Sequence, residues 1–363
     1  MSSVHLQPTP ATNRRAAHHV TPAASAVDAP APGEVDAVAS REAWVLQDTC
    51  SFLASDLKLL FEKGELTESR YSPNIVFEDP ITKYNSREGY VFNVRLLRSL
   101  FNITFDLHSI GVSGPDAITA TWTMEMLFWL LPWRPNLVFT GRTVYKVDPS
   151  SGLILSHTDY WDALQRNAFL SLEGVQHVLR MFMQVQVTPS IESPKYVVLK
   201  RFKDYEIRKY EPYLVAETPM GAGAGPASGS GFSELARYLF GGNEQAASME
   251  MTTPVFSTQQ AMQFVMGSRY SDVDSLPAPS DPRIARKREE GGFAAAIRFA
   301  GWPLDFEVVQ AERQLRDLLI RDGLRPLPSY QLARYNDPST PPALRRNEVL
   351  IRLDDFAWPP QLP

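Results

Sequence analysis

Between residues 191 and 363 one order of elements occurs twice, and that repetition restricts the fold more than any other feature of the chain. Tyr196–Phe202, Tyr205–Tyr210 and Tyr213–Thr218 alternate in the manner of half-buried strands. A Gly/Ala/Ser run, GAGAGPASGSG at 221–231, follows as a loop. The next stretch, GFSELARYLFGG, sets Phe232, Leu235, Ala236, Leu239 and Phe240 on one side at helical spacing and stops at Gly241-Gly242. MTTPVFS and MQFVMG supply further strands. The second round gives FAAAIRFAG as a strand, FEVVQAERQLRDLLIRDG as a helix ending at Gly323, and YQLARYN and NEVLIRL as strands. Strand, helix and strands taken twice predict a duplicated unit that closes into one barrel-like sheet carrying two helices.

The preceding part, residues 41–170, has a different order. Trp44, Leu46, Phe52, Leu53, Leu57, Leu60 and Phe61 recur at helical spacing and predict an amphipathic helix over 42–63. A strand begins at Ile75-Val76-Phe77 and stops at Asp79-Pro80, and a helix over 86–101 takes Ser86 as its N-cap. Four long strands follow: Ile103–Val112, Ala117–Leu130, Asn136–Val147 and Leu153–Trp161. Helices first and antiparallel strands after make an α+β cone, a curved sheet wrapped over helices. The segment SLEGVQHVLRMFMQVQVT at 171–188 reads as a connecting helix bounded by Pro189 and Pro194.

Residues 1–27 hold Arg14, Arg15 and three histidines and no acidic residue, the composition of an organelle transit peptide as well as of an ordinary unfolded tail. The Ala/Pro stretch to Ser40 reads as linker, so residues 1–40 are expected to be disordered and folding to start near Arg41. Cys50 is the one cysteine among 363 residues, which excludes an internal disulfide framework. Charges are balanced in each part: +3 and −4 over 1–43, +12 and −15 over 44–190, +21 and −22 over 191–363. No basic excess serves a nucleic-acid backbone, and the basic run Arg283–Arg288 is read as a solvated loop. The longest apolar run, Met126–Trp133, falls far short of the ~20 residues a membrane span needs, which leaves peripheral membrane contact open. Trp129 and Trp133 beside Arg134 suit an interfacial anchor, a contact with the second domain, or a buried bend. The chain has no phosphate-binding glycine motif, no zinc-type His/Cys cluster and no nucleophile elbow.

Ordered motifs in the second half resemble the SOUL haem-binding family: YEIRKYEPYLVAET, F-x-x-L-x-x-Y-L-x-G-x-N at Phe232–Asn243, MEMTTPV at 249–255, LPAPSDPRI at 276–284, F-x-G at Phe299–Gly301 and RRNEV at 345–349. The resemblance implies a SOUL-type distorted eight-stranded β-barrel with two helices over 191–363. It also implies binding of haem or a related tetrapyrrole in an apolar cleft beside the first helix. FEDP and HTDYWDAL in the first half resemble the NTF2-like superfamily, and more closely the domain that precedes haem-binding domains in plant and algal proteins. That pairing implies a chloroplast protein, with thylakoids, plastoglobules or eyespot globules as the implied attachment sites.

A porphyrin face asks for apolar side chains and its propionates ask for a basic rim. The resemblance assigns Phe232, Leu235, Ala236, Leu239 and Phe240 to the face and Arg237 to a propionate, with core the better reading of Leu235 and Leu239 from periodicity. No histidine occurs in 191–363, so axial ligation falls to Met249 or Met251, to a tyrosine, or to a residue from outside; exchangeable binding of a tetrapyrrole is the expectation. In the cone, Glu78, Asp79, His108, His157, Asp159 and Asp162 are candidates for a pocket, and an Asp/His pair there has the chemistry for proton transfer. Three functions follow: a non-catalytic tetrapyrrole carrier, buffer or sensor in the plastid; an enzyme working through the NTF2-like pocket; and a protein-interaction scaffold.

Overall fold

The computed structural model describes residues 32–358 apart from 65 and 222. The expected transit peptide, at 1–27, lies outside the described residues. Helix α1 spans Pro32–Glu62, so the end of the expected linker is helical instead of disordered. Proline at a first helical position costs nothing, because the N–H it lacks would have no partner there.

From Glu42 onward the chain is one packed body. Its first sheet contains β1 (Tyr71–Glu78), β2 (Lys83–Tyr84), β3 (Phe101–Gly114), β4 (Ala117–Phe128), β5 (Asn136–Val147) and β6 (Ile154–Trp161) in the order β2-β1-β6-β5-β4-β3. Helix α2 (Arg87–Leu100) begins at the expected cap: the Ser86 hydroxyl accepts from the Gly89 N–H. One core joins Leu46, Cys50, Leu53, Leu57 and Leu60 of α1 and Tyr90 and Val94 of α2 to Ile118, Ala120, Tyr145 and Ile154 of the sheet. These sheet residues share one face by strand alternation, and the opposite face carries Thr119, Thr121 and Thr123. This is the expected α+β cone, a curved sheet wrapped over two helices. Helix α3 (Leu172–Phe182) ends earlier than the expected 171–188.

The second sheet contains nine strands: β7 (Tyr196–Arg201), β8 (Glu206–Tyr210), β9 (Tyr213–Pro219), β10 (Val255–Ser257), β11 (Ala261–Val265), β12 (Ala285–Glu289), β13 (Gly292–Phe299), β14 (Pro326–Arg334) and β15 (Asn347–Leu353). Their order is β12-β9-β11-β10-β14-β15-β13-β8-β7. The duplication is visible in this order. Without β7, it is a palindrome about the β10–β14 pair, with α4 (Phe232–Leu239) in the first unit and α5 (Asp305–Arg321) in the second. Each unit's leading strand, β8 or β12, pairs with the second strand of the other unit. Four of the six residues of the basic run expected as a solvated loop, Ala285 to Arg288, therefore lie in β12, and the strand count among the described residues is nine where eight were expected.

The two faces of this sheet are buried differently. On the outer face, α4 packs over Leu214, Ala216, Met262 and Phe264, and α5 over Ile207, Ala295, Ile297, Leu332, Val349 and Ile351. On the inner face Tyr210, Phe256, Ala294, Ala296, Ala333 and Leu350, drawn from five strands, pack together, which requires the sheet to curl into a half-barrel. The small inward side chains of Ala294, Ala296 and Ala333 leave room at one end for a buried ionic network. Glu348, 0% exposed, accepts from Arg208 Nη1 and Nη2 (2.6 and 2.8 Å), Arg346 Nε and Nη2 (2.9 and 2.7 Å) and the Tyr335 hydroxyl (2.9 Å). Glu206 accepts from Arg201 and Arg208, both at 2.7 Å.

The halves meet through the threonine face of the cone. Thr123 donates its hydroxyl hydrogen to the Val198 carbonyl at 2.5 Å, and the Arg201 N–H donates to Thr140 Oγ1 at 2.7 Å.

Candidate tetrapyrrole site on helix α4

Helix α4 has two distinct sides. Leu235 and Leu239 are 0% and 1% exposed and sit in the core with Tyr238. The resemblance assigned both to the tetrapyrrole, and that assignment is corrected in favour of the core reading from periodicity: a helix over a sheet must bury one stripe, and these residues are that stripe. The neighbouring side presents Phe232 (42% exposed), Ala236 and Phe240 (64% exposed) at i, i+4 and i+8. The Phe232 ring meets Phe264 edge-on at 5.2 Å, which holds it upright on the surface.

The motif residues around this helix fix its position. Asn243 ties the helix end down: its amide donates to the Tyr238 and Ala247 carbonyls (3.1 and 2.8 Å) and its oxygen accepts from the Ala247 N–H. The chain returns so closely at Gly242 that a Cβ there would lie 2.7 Å from the Arg237 carbonyl oxygen. Tyr238 donates to the Pro277 carbonyl at 2.7 Å and draws the LPAPSDPRI loop alongside. In that loop Asp281 is gripped by Arg283 Nη2 at 2.7 Å, and hydrogen bonds from Arg283 hold its carboxyl down at about 2. Arg237 is exposed beside this cluster, and its guanidinium has no hydrogen-bond partner among the described residues. An exposed apolar stripe with an available cation fits the face and one propionate of a porphyrin.

The axial-ligand candidates do not fit. Met249 is buried in the core, where its N–H donates to the Leu239 carbonyl. Met251 packs half-buried against the same core. A thioether is a flexible apolar filler, and this core uses both as filler. His177, the histidine nearest in sequence, is buried edge-on to Phe139. Burial, with Arg201 and Arg180 nearby, pushes its pKa down to about 4.

In the cone, His157 and Asp159 do come together: His157 Nε2 lies 2.8 Å from Asp159 Oδ1, as two residues of one strand face can. Thr143 donates to the same Asp159 oxygen at 2.5 Å, and Trp122 Nε1 donates to Thr143 at 2.8 Å. The imidazole is enclosed by Phe77, Tyr90 and Tyr145 at centroid distances of 4.9, 5.4 and 4.8 Å, and its Nδ1 has no partner. Asp79 is spent on its own turn, accepting from the Ile81 and Thr82 N–H groups and the Thr82 hydroxyl. Burial pushes its pKa up against those bonds. Glu78 pairs with Lys83 at 2.5 Å.

His108 is not part of this cluster. Phe105 and Leu107 of β3 pack on the core, so alternation sends His108 to the opposite face, where Nε2 lies 2.8 Å from Thr123 Oγ1 and the ring meets Trp358 at 5.0 Å; the bulge between Leu107 and Ser109 shifts parity only from Ser109 onward. Asp162 also lies away from the pair and accepts from Thr140 at 2.9 Å. Of the two tryptophans, Trp129 is exposed, while Trp133 donates to the Phe182 carbonyl at 2.9 Å and faces residues of the second half.

Residues 191–352 match the family described as SOUL heme-binding protein, and residues 47–157 match an uncharacterized conserved protein family, DUF2358. No curated protein matches the chain. Similar solved structures include an NTF2-like protein from Anabaena variabilis (12% identity, 34% of this chain and 93% of that one, TM-score 0.29). A second is an LEH-like epoxide hydrolase from M. tuberculosis (17% identity, 35% and 79%, TM-score 0.25). A third is the epoxide hydrolase/cyclase-like enzyme SalBIII of salinomycin pyran ring formation (14% identity, 35% and 92%, TM-score 0.24).

Proposed function

We propose, on the premise that residues 191–352 are a domain of the SOUL heme-binding protein family, that the chain holds a carboxylated tetrapyrrole on the exposed side of α4 and exchanges it without chemical change. The observation that carries this reading is the Phe232–Ala236–Phe240 stripe beside Arg237. Phe232 and Phe240 would lie against the macrocycle, Ala236 would let it approach the helix, and Arg237 would meet a propionate. When bound, the tetrapyrrole supplies its own absorbance and, with iron, its redox couple. The protein contributes an apolar bed and one charge, and the absence of histidine from 191–363 supports weak, exchangeable attachment over fixed ligation.

A chloroplast location is part of the proposal. Its support is the acid-free stretch over residues 1–27 and the joining of these two families in one chain. A fluorescent fusion of the full chain tests it.

Titration of the full chain with haem and with protoporphyrin, followed in the Soret band, tests the binding claim. Saturable spectral change is expected. Phe240→Asp should weaken it about ten- to a hundred-fold, since burying one phenylalanine contributes about 1.5–3 kcal/mol. Linear, unsaturable change with both ligands would overturn the proposal.

A further inference from the structure

The end of the half-barrel that holds the ionic network opens into a cavity of about 790 Å³ between the two halves of the body. Its walls come from the cone, from the segment after α3, and from β7, β8 and β13. Leu127, Val138, Val197, Tyr196 and Trp133 make part of the wall apolar, and Pro132, Arg134 and Val187 are exposed at its mouth. Five cationic side chains line it against three carboxylates.

The cations are unequally satisfied. Arg201 is paired with Glu206, and Arg346 is fully engaged by Glu348, Thr188 and Tyr196. Arg298 is different. Its Nε stands 3.5 Å from Glu348 and its Nη1 3.5 Å from Gln184, both at the long limit of hydrogen bonding. Glu348 is already saturated by Arg208, Arg346 and Tyr335. The network thus sets four guanidinium groups, of Arg201, Arg208, Arg298 and Arg346, around two carboxylates, Glu206 and Glu348. Burial, and after it the neighbouring Arg346, push the Arg298 pKa down, the direction expected of a cation removed from water without a close anionic partner of its own. A second unmet group lines the same space: Gln186 Oε1 is buried with no hydrogen-bond partner among the described residues.

We propose that this cavity is a second ligand site, which takes a carboxylate on an apolar body, with the carboxylate seated on Arg298. The guanidinium fork matches two carboxylate oxygens, its charge would be neutralised where the protein supplies too few anions, and the apolar wall would cover the remainder of the molecule. The volume lies within the range of small-molecule pockets. A fatty acid and a tetrapyrrole propionate both carry this chemistry.

Calorimetric titration of the full chain with laurate, and separately with protoporphyrin, tests the site and distinguishes the sources. Saturable laurate binding that weakens about ten- to a hundred-fold in Arg298→Gln and is weaker for methyl laurate supports a fatty-acid-like occupant. A protoporphyrin equivalent lost in Arg298→Gln and kept in Arg237→Glu supports a tetrapyrrole occupant. Val197→Phe fills the cavity without touching the network and should block either ligand, which keeps the test decisive if Arg298→Gln misfolds. Arg237→Glu belongs to the α4 surface and should leave laurate binding unchanged, so failure of the α4 reading and failure of this one give different results. Absence of saturable binding at this site, or equal affinity in wild type, Arg298→Gln and Val197→Phe, would overturn the proposal.

Discussion

Glu348→Gln removes the charge on which the inner end of the half-barrel depends. Glutamine has nearly the same shape, but one of its terminal atoms is an amide that points donors at the donors of Arg208 and Arg346. Five hydrogen bonds to a fully buried carboxylate are then lost or weakened, and Glu206 is left as the only carboxylate among four guanidinium groups. Leaving a buried charge uncompensated costs about 3–5 kcal/mol, a large part of the ~5–15 kcal/mol that holds a domain. At ~2–4 °C per kcal/mol the melting temperature should fall by about 6–20 °C at pH 7. Thermal and denaturant unfolding followed by circular dichroism measure this. The acid limb should change too. Burial opposes ionisation of both carboxyls, but the arginines outweigh it and hold Glu348 well below its ordinary range and Glu206 at about 2. Depressed folded values mean that their contribution is complete above the ordinary glutamate range, near 4.5, and is lost as the pH falls toward the folded values. Glu348→Gln should therefore lose less stability on acidification than wild type does. A destabilisation below about 1 kcal/mol, with an unchanged acid limb, would refute the view that this network depends on Glu348.

The other expectations concern single groups. His177 is pushed down to about 4 from 6.5, so the native state binds fewer protons than the unfolded chain; stability should erode as the pH falls from 6.5 toward 4, and His177→Phe should flatten that part of the stability–pH curve. Leu235→Ala should cost about 2–5 kcal/mol in denaturant unfolding, whereas Phe240→Asp should leave the unfolding midpoint nearly unchanged while it weakens porphyrin. The reverse pattern would exchange the two sides of α4. Thr123→Val removes the donor to the Val198 carbonyl and should cost about 1 kcal/mol, read as a lower melting temperature.

Much of the fold was legible because it rests on periodicity. The duplicated unit, the Ser86 cap and the two sides of α4 all follow from which positions must be buried. Strand β12 was missed because it is an edge strand, ARKRE, whose side chains are mostly in solvent and carry no apolar alternation. His108 was misplaced because it was grouped with His157 on residue type; alternation from Phe105 and Leu107, which pack on the core, already puts it on the opposite face. The ionic network escaped for a different reason. Charge summed over 191–363 is nearly zero, and the sum conceals a local excess of guanidinium over carboxylate. A signal was present: Glu206, Arg208 and Tyr210 share one strand face, as do Arg346 and Glu348. Alternation alone assigned those polar faces to solvent, and only curling of the sheet buries them.

The most direct measurement is the affinity of the full chain for protoporphyrin against its dimethyl ester, in wild type and in Arg237→Glu. The account predicts that wild type prefers the free acid and that Arg237→Glu weakens the acid more than the ester, since the apolar bed of Phe232, Ala236 and Phe240 is shared and the propionate contact is not. Equal losses for acid and ester, or no loss for either, would contradict the placement of the tetrapyrrole on α4.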